Sequence, residues 1–194
     1  MNLFDLLGNA GASQPAGITE LRTGTEPATV RLFTSEVETA RIHYESGEPF
    51  RTYVICPGTG CPVCHIGSAP QQCGLLPVYN LETRAVEVVR FSIRQVPGAL
   101  VTLLMQLLRD EGIAEKVVLL SRDGSRYTAR SQPLGEDADH GDAAIASFIE
   151  AQQAGLKLAG AFAQPTAAEL AEVERVRRKL DAVGGYKLPE TPNP

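Results

Sequence analysis

Three cysteines stand close together in a stretch of turn-forming residues. Cys56, Cys61 and Cys64 fall within nine residues, among two glycines and two prolines. Thiolates are good zinc ligands, and a Cys-x-x-Cys turn lets two sulfurs reach one ion. The tract therefore predicts a site for zinc or a similar ion. A structural zinc site is tetrahedral, so a fourth ligand is needed.

Two residues outside the tract are candidates for that fourth ligand. His43 lies upstream, with twelve residues between it and Cys56, and Cys73 lies downstream, with eight residues between it and Cys64. His65 follows Cys64 directly, and the two neighbours would be strained in one coordination sphere, so it ranks third. A redox role is the alternative for these thiols. It expects a thioredoxin-like βαβ setting, whereas the flanks here have the pattern of strands.

The composition is that of an ordinary globular protein. The 194 residues are 43% hydrophobic, which fits one domain with an appendage. No apolar stretch approaches the roughly 20 residues of a membrane span, and no signal-peptide pattern is found, so a cytoplasmic location is expected. The net charge is −5, but from Arg22 to Arg130 there are 12 basic residues against 11 acidic ones. This middle part is compatible with phosphate binding.

Between residues 28 and 134 the pattern is mainly β, with one helix between late strands. The β-branched and aromatic runs predict seven strands: Thr29 to Phe33, Thr39 to Tyr44, Phe50 to Ile55, Leu75 to Asn80, Val86 to Phe91, Lys116 to Ser121 and Arg126 to Arg130. A leucine-rich helix is predicted from about Pro97 to Asp110. An OB-type barrel fits this order. An SH3-like barrel or a small α+β sheet would give a similar pattern.

The two flanks differ from the middle part. Residues 1–27 are predicted to be a flexible arm. Residues 135–194 are predicted to be a helical C-terminal extension with a disordered end, in which Thr166 and Glu169 have the spacing of a capping box. We expect residues 28–134 to fold without this extension. The chain carries no phosphate-cradling glycine loop, nucleophile motif or recognisable carboxylate pair, so an enzyme is not expected.

The order of these features resembles the phage single-stranded DNA-binding proteins of the T4 type. The resemblance spans roughly residues 28–134 and rests on the following features: His43, the Cys56 to Cys64 tract, the strand end at Phe91-Ser92, the leucine-rich helix, and Leu120-Ser121-Arg122 with Tyr127. It implies an OB fold with an inserted zinc subdomain, at about residues 43–73. It also implies zinc ligands at His43, Cys56, Cys61 and Cys64, with Cys73 as the alternative to His43. That family has a basic N-terminal arm, which this chain lacks.

The resemblance implies sequence-tolerant binding of single-stranded DNA in replication, recombination or repair, of a phage or mobile-element type. Protein partners would bind the C-terminal extension. Such a site needs aromatic faces for base stacking and cations for the phosphates. The favoured candidates are Arg51, Tyr53, Arg122, Arg126 and Tyr127. The alternatives are a zinc-stabilised protein-interaction module and an RNA-binding OB protein.

Overall fold

The computed structural model describes residues 18–94, 99–109, 112–124, 126–135 and 140–188. Several expected features lie wholly or partly outside these ranges: most of the N-terminal arm, the helix boundaries at Pro97 and Asp110, residues 136–139 of the C-terminal extension and its last six residues. In the part of the chain that the structure describes, no helix has the length and apolarity needed to cross a membrane.

The protein is mainly β, as predicted. In the ranges given above, eight strands form one sheet: β1 Thr19–Glu20, β2 Ala28–Arg31, β3 Glu38–Glu45, β4 Thr52–Ile55, β5 Gln71–Asn80, β6 Ala85–Ser92, β7 Lys116–Asp123 and β8 Arg126–Pro133. Each of the seven predicted strands overlaps one of β2 to β8. The short β1 lies in the segment predicted to be a flexible arm. It pairs in parallel with β6, whereas all the other pairs are antiparallel.

Within the described residues, five short α-helices accompany the sheet: α1 Pro62–His65, α2 Leu100–Leu107, α3 Asp142–Gln153, α4 Ala167–Glu172 and α5 Glu174–Val183. The same ranges contain two 3₁₀ turns, at Ile113–Glu115 and Leu158–Ala161. The predicted capping box begins α4, because the Thr166 side chain accepts a bond from the Glu169 amide and the Glu169 side chain accepts one from the Thr166 amide.

The sheet is mixed and open. Its order is β1-β6-β5-β2-β7-β8, with β3 joined to β5 and β4 to β3. Among the described residues β8 pairs only with β7, so the closed OB-type barrel that the sequence predicts is not confirmed. Helix α2 packs against β6 and β8, with Leu100 and Leu104 buried between them. The gap that a closed barrel would seal with backbone bonds is here filled by leucine side chains.

The long strand β5 organises the sheet. Its first half pairs with β3, its last two residues pair with β2, and its other edge pairs with β6. Both faces of β5 are buried. Leu76 and Val78 belong to a cluster that includes Leu100 of α2, and Leu75 on the other face belongs to a cluster with Phe148 of α3.

The C-terminal extension is helical, as predicted, and packs directly on the sheet. Phe148 and Leu158 complete the cluster over β3, β5 and β6, and Leu170 and Val176 complete a third cluster against the cysteine tract. Removal of the extension would uncover both clusters. This argues against the expectation that residues 28–134 fold alone.

The entry to α3 depends on a glycine. Gly141 has φ +71° and lies so close to the Tyr79 ring that a Cβ there would be 2.4 Å from ring carbons. Positive φ is easy only for glycine. The close approach seats α3 on β5 and so covers this face of the sheet.

A candidate metal centre and an arginine-lined cleft

Four side chains of the predicted metal site converge. One ligand atom from each of His43, Cys56, Cys61 and Cys64 lies within 4.8 Å of the others. His43 Nε2 is 3.5 Å from the Sγ atoms of Cys61 and Cys64, and the Sγ atoms of Cys56 and Cys64 are 3.7 Å apart. These residues form a compact group that could hold a metal ion such as zinc.

Three of the distances are compatible with zinc. With Zn–S of about 2.3 Å and Zn–N of about 2.0–2.1 Å, tetrahedral geometry separates two sulfurs by about 3.8 Å and a sulfur from a nitrogen by about 3.6 Å. The separations of 3.7 Å and 3.5 Å match both values. A site of three thiols and one imidazole is also a usual structural zinc set.

Local chain geometry brings the four ligands together. His43 lies on β3 opposite Val54 of β4, and Cys56 directly follows β4, with its amide bonded to the Arg41 carbonyl at 2.8 Å. Cys61 is the N-cap of α1, whose first residue is Pro62. Proline suits this position because its fixed φ is helical and no amide bond is lost. The resulting single turn places Cys61 and Cys64 on the same side.

Burial shifts the pKa values of three of these four side chains. Burial, helped by the nearby Arg41 charge, lowers the pKa of His43, so its imidazole is neutral and can offer a lone pair. Burial raises the pKa of Cys61, and burial with the neighbouring thiols raises the pKa of Cys64 to about 12. Both thiols are therefore protonated at neutral pH, and a metal must displace their protons.

The other candidates for the fourth ligand are placed elsewhere. Cys73 lies on β5 opposite Ala40, three residues along β3 from His43, and is buried in the cluster beneath α3. His65 contacts the Gly184 carbonyl through Nε2 at 3.2 Å. Neither belongs to the converging group, which has His43 as its fourth member.

We call the four converging side chains the metal group. Strand β3, which carries His43, is joined to the C-terminal helices by a buried ion pair. The carboxylate of Glu45, which is 0% exposed, accepts two bonds from Arg175 of α5, at 3.0 Å and 2.7 Å. Its Oε1 also accepts the Gly47 amide at 2.8 Å. Burial alone would raise the pKa of Glu45, but the bonds to Arg175 and the backbone outweigh it and lower that pKa.

A second site is a cleft of about 160 Å³ beside helix α2, at the open side of the sheet. Residues around β1 and on β6 line one side of it, and the β7–β8 hairpin lines the other. Its polar lining is Glu20, Arg22, Thr23, Arg90 and Arg122. Its apolar lining is Leu21, Val89, Leu100 and Tyr127. We call this site the arginine cleft.

Arg90 connects the arginine cleft to two tyrosines. Its Nε donates to Glu20 at 2.9 Å, and its guanidinium lies 3.6 Å from the centre of the Tyr53 ring. A cation at this distance is attracted to the ring face. Tyr44 packs edge-on against Tyr53 at 5.2 Å and is itself 60% exposed. Arg90 thus lies between Glu20 and the Tyr53 ring, and the neighbouring Tyr44 ring is exposed.

The opposite wall is built by the hairpin. Arg122 lies directly opposite Tyr127, with its guanidinium 5.2 Å from the ring centre, and its Nε donates to the Gly124 carbonyl at 2.7 Å. The Arg122 amide donates to the Gly24 carbonyl at 2.6 Å, which holds the segment after Arg22 beside the hairpin. Within the described ranges, neither Arg22 nor Arg122 forms an ion pair with a carboxylate.

The structure brings together only some of the predicted nucleic-acid residues. Arg122 and Tyr127 line the arginine cleft, and Tyr53 reaches it through Arg90. Arg126 is exposed on the same hairpin, but neighbouring strand residues face opposite sides, so it points away from Tyr127. Arg51 lies outside β4, has φ +38° and pairs with Glu48 at 2.9 Å. It therefore shares no strand face with Tyr53.

Arg22 is a member of the cleft that the sequence did not indicate. It lies in the segment predicted to be a flexible arm, and no local pattern marks it. Long-range contacts place it there: β1 pairs in parallel with β6, and the Leu21 amide continues this pairing with a bond to the Val88 carbonyl at 2.9 Å.

Comparisons with known proteins give no match: no protein-family model matches the chain, and neither a curated protein nor a solved structure is significantly similar to it.

Proposed function

We propose that this protein is a sequence-tolerant single-stranded DNA-binding protein, built on an OB-type fold and stabilised by zinc. The observation that carries the proposal is the arginine cleft, whose lining residues include Arg22, Arg90 and Arg122 together with Tyr127. Binding without sequence preference uses cations that neutralise phosphates and aromatic rings that stack on bases. The cleft offers both kinds of group in one place.

The strand connectivity supports the OB part of the proposal. An OB fold is a partly open five-stranded barrel. If the broken pair β2 and β3 is taken as its first strand, then β5, β6, β7 and β8 follow as the second to fifth strands, with α2 between the third and fourth. Among the pairings seen, β2 joins both β5 and β7, β5 joins β6, and β7 joins β8.

The covering of the sheet favours the cleft as the place where a strand binds. OB folds bind oligonucleotides on the face of the second and third strands and at the loops around it, including the loop between the fourth and fifth. Here the β5–β6 face is covered by Phe148, Leu158 and Phe162. The β7–β8 turn remains, and its Arg122 and Tyr127 belong to the cleft.

Zinc has a structural part in this proposal. It would be held by His43, Cys56, Cys61 and Cys64 and would tie the turn after β4 to β3. Because the unfolded chain has no such preformed site, the free energy of zinc binding adds to the free energy of folding. The tract fills the connection between the proposed first and second strands of the barrel.

The test is the salt dependence of binding, measured by fluorescence anisotropy with a labelled single-stranded oligonucleotide. Each phosphate contact that is lost should flatten the slope of log K against log salt by about 0.7. We expect the double variant Arg22→Gln/Arg122→Gln to bind more weakly with a flatter slope. The control Arg177→Gln/Lys179→Gln removes two exposed charges from α5 and should leave the slope unchanged.

Tyr127→Leu separates stacking from charge. We expect it to weaken binding, by about 1–3 kcal/mol if the ring stacks on a base, with the slope unchanged. If the control variant flattens the slope as much as the cleft variant does, binding is a property of the general surface charge and the cleft is not the site.

If RNA binds as well as DNA of the same sequence, the RNA-binding alternative replaces the DNA preference. A role in replication, recombination or repair belongs to the same proposal.

A further inference from the structure

The charge of the arginine cleft suggests what part of a strand it binds, an inference that rests on the proposed function. The residues that line it include three arginines and one glutamate, a net charge of +2. Glu20 is bound to Arg90, which also packs on Tyr53, so this pair is part of the wall. Arg22 and Arg122 remain to meet a ligand, since neither pairs with a carboxylate in the described ranges.

A phosphate inside a strand carries one negative charge, whereas a terminal phosphate monoester carries about −1.5 to −2 at pH 7. The monoester therefore balances the cleft, and an internal phosphate leaves it with excess positive charge. Arginine also suits a terminal phosphate geometrically, because its planar fork can bind two oxygens at once.

The size of the cleft also suits a terminal phosphate. Its volume of about 160 Å³ is well below the roughly 300–1,000 Å³ of pockets that enclose a drug-sized ligand. A phosphate with the adjoining sugar is small enough for this space, and the base of the same nucleotide would lie outside it. The Thr23 side chain is a further polar group in the lining, and Leu21, Val89 and Leu100 form an apolar wall.

We propose that the arginine cleft binds the phosphate monoester at the end of a nucleic-acid strand, with Arg22 and Arg122 as its ligands. The first base beyond the sugar then lies near Tyr127, and the chain of Arg90, Tyr53 and exposed Tyr44 offers the next aromatic surface. The protein would thus recognise strand ends in addition to binding strands along their length.

The experiment compares oligonucleotides of one sequence that carry an internal fluorophore and end in a 5′-phosphate, a 3′-phosphate or hydroxyls at both ends. We expect one phosphorylated end to bind about tenfold or more tightly than the hydroxyl form, because hydrogen bonds to an ionised phosphate are the strong ones. Arg122→Gln should remove this preference. The control Arg130→Gln lies on the exposed outer face of the same hairpin and should retain it.

A second measurement does not depend on strand binding. Thymidine 5′-monophosphate should shift the backbone amide NMR signals of Arg22, Thr23 and Arg122, and thymidine at the same concentration should not. Equal affinity for all three strands, or no shift with the monophosphate, overturns the inference while leaving general single-strand binding intact. Shifts with the monophosphate in a protein that binds no strand support the monoester site and overturn the proposed function instead.

Discussion

Replacing Arg175 tests how the C-terminal helices are joined to the metal group. Arg175→Met keeps most of the apolar length of the side chain but removes both bonds to Glu45, whose carboxylate is fully buried. Removing one partner of a buried ion pair costs about 3–5 kcal/mol. Arg175 is itself 37% exposed, so water can partly replace it, and we expect a loss of about 2–3 kcal/mol.

The assay is reversible thermal or urea unfolding, followed by circular dichroism at pH 7. For a chain of this size the loss should lower Tm by about 4–12 °C. Arg178→Met is the matched control: it breaks an exposed ion pair with Glu174 on the same helix and should cost less than about 0.5 kcal/mol. Adding Glu45→Gln to Arg175→Met should restore part of the stability, because no buried charge is then left.

The pH dependence of this loss has a definite sign. In the native protein the pKa of Glu45 is lowered below 4.5, so the pair stabilises above that pH, and the contribution is lost as the pH falls through the folded-state pKa. In Arg175→Met the bonds from Arg175 are lost, and burial, opposed only by the backbone bonds from Ser46 and Gly47, raises the pKa of Glu45 above its value in the native protein. The destabilisation of the variant should therefore shrink as the pH falls from 7 toward 4.5. A loss below 0.5 kcal/mol at pH 7, or one that does not change over this range, would refute the reasoning.

Three further predictions concern the metal group and the C-terminal extension. Cys64→Ser and His43→Ala should abolish the one equivalent of zinc expected by mass spectrometry and lower Tm, while Cys73→Ala retains it; zinc loss in Cys73→Ala alone would reverse the ligand assignment. Zinc titrated into the metal-free protein at pH 7 should release protons, seen as a buffer-dependent calorimetric heat, because the pKa values of Cys61 and Cys64 are raised; equal heats in all buffers would contradict this. Truncation after Gly135 should give an aggregating, dye-binding protein, since Phe148, Leu158 and Leu170 no longer cover their clusters; a soluble, zinc-retaining fragment would show that residues 28–134 fold alone.

The sequence predicted local features well because their causes are local. Alternating β-branched residues predict strands, Thr166 and Glu169 predict a helix start, and the spacing of Cys61 and Cys64 predicts a shared ion. The predicted ligand set matches the group that converges in the structure. The strand, cap and Cys-x-x-Cys patterns span only a few residues and can be found without knowing the fold, whereas the preference for His43 over Cys73 comes from the family resemblance.

Features that depend on distant contacts were not predictable in this way. The pairing of β1 with β6 joins residues 68 apart in sequence, at Thr19 and Glu87, and nothing near Arg22 indicates that it reaches the hairpin. Arg51 and Tyr53 alternate in sequence as strand residues do, but the chain turns at Arg51 with positive φ. The packing of α3 on the sheet likewise depends on the close contact of Gly141 with Tyr79.

We propose that this protein binds single-stranded DNA at the arginine cleft. The most direct measurement is the affinity of the full-length, zinc-loaded protein for one DNA sequence offered as a single strand and as a duplex, by anisotropy at low salt. Because stacking requires exposed base faces, we expect clearly tighter binding to the single strand than to the duplex, and similar affinities for single strands of unrelated sequence. Equal or tighter binding to the duplex, or no binding to either form where the electrostatic attraction is strongest, would contradict it.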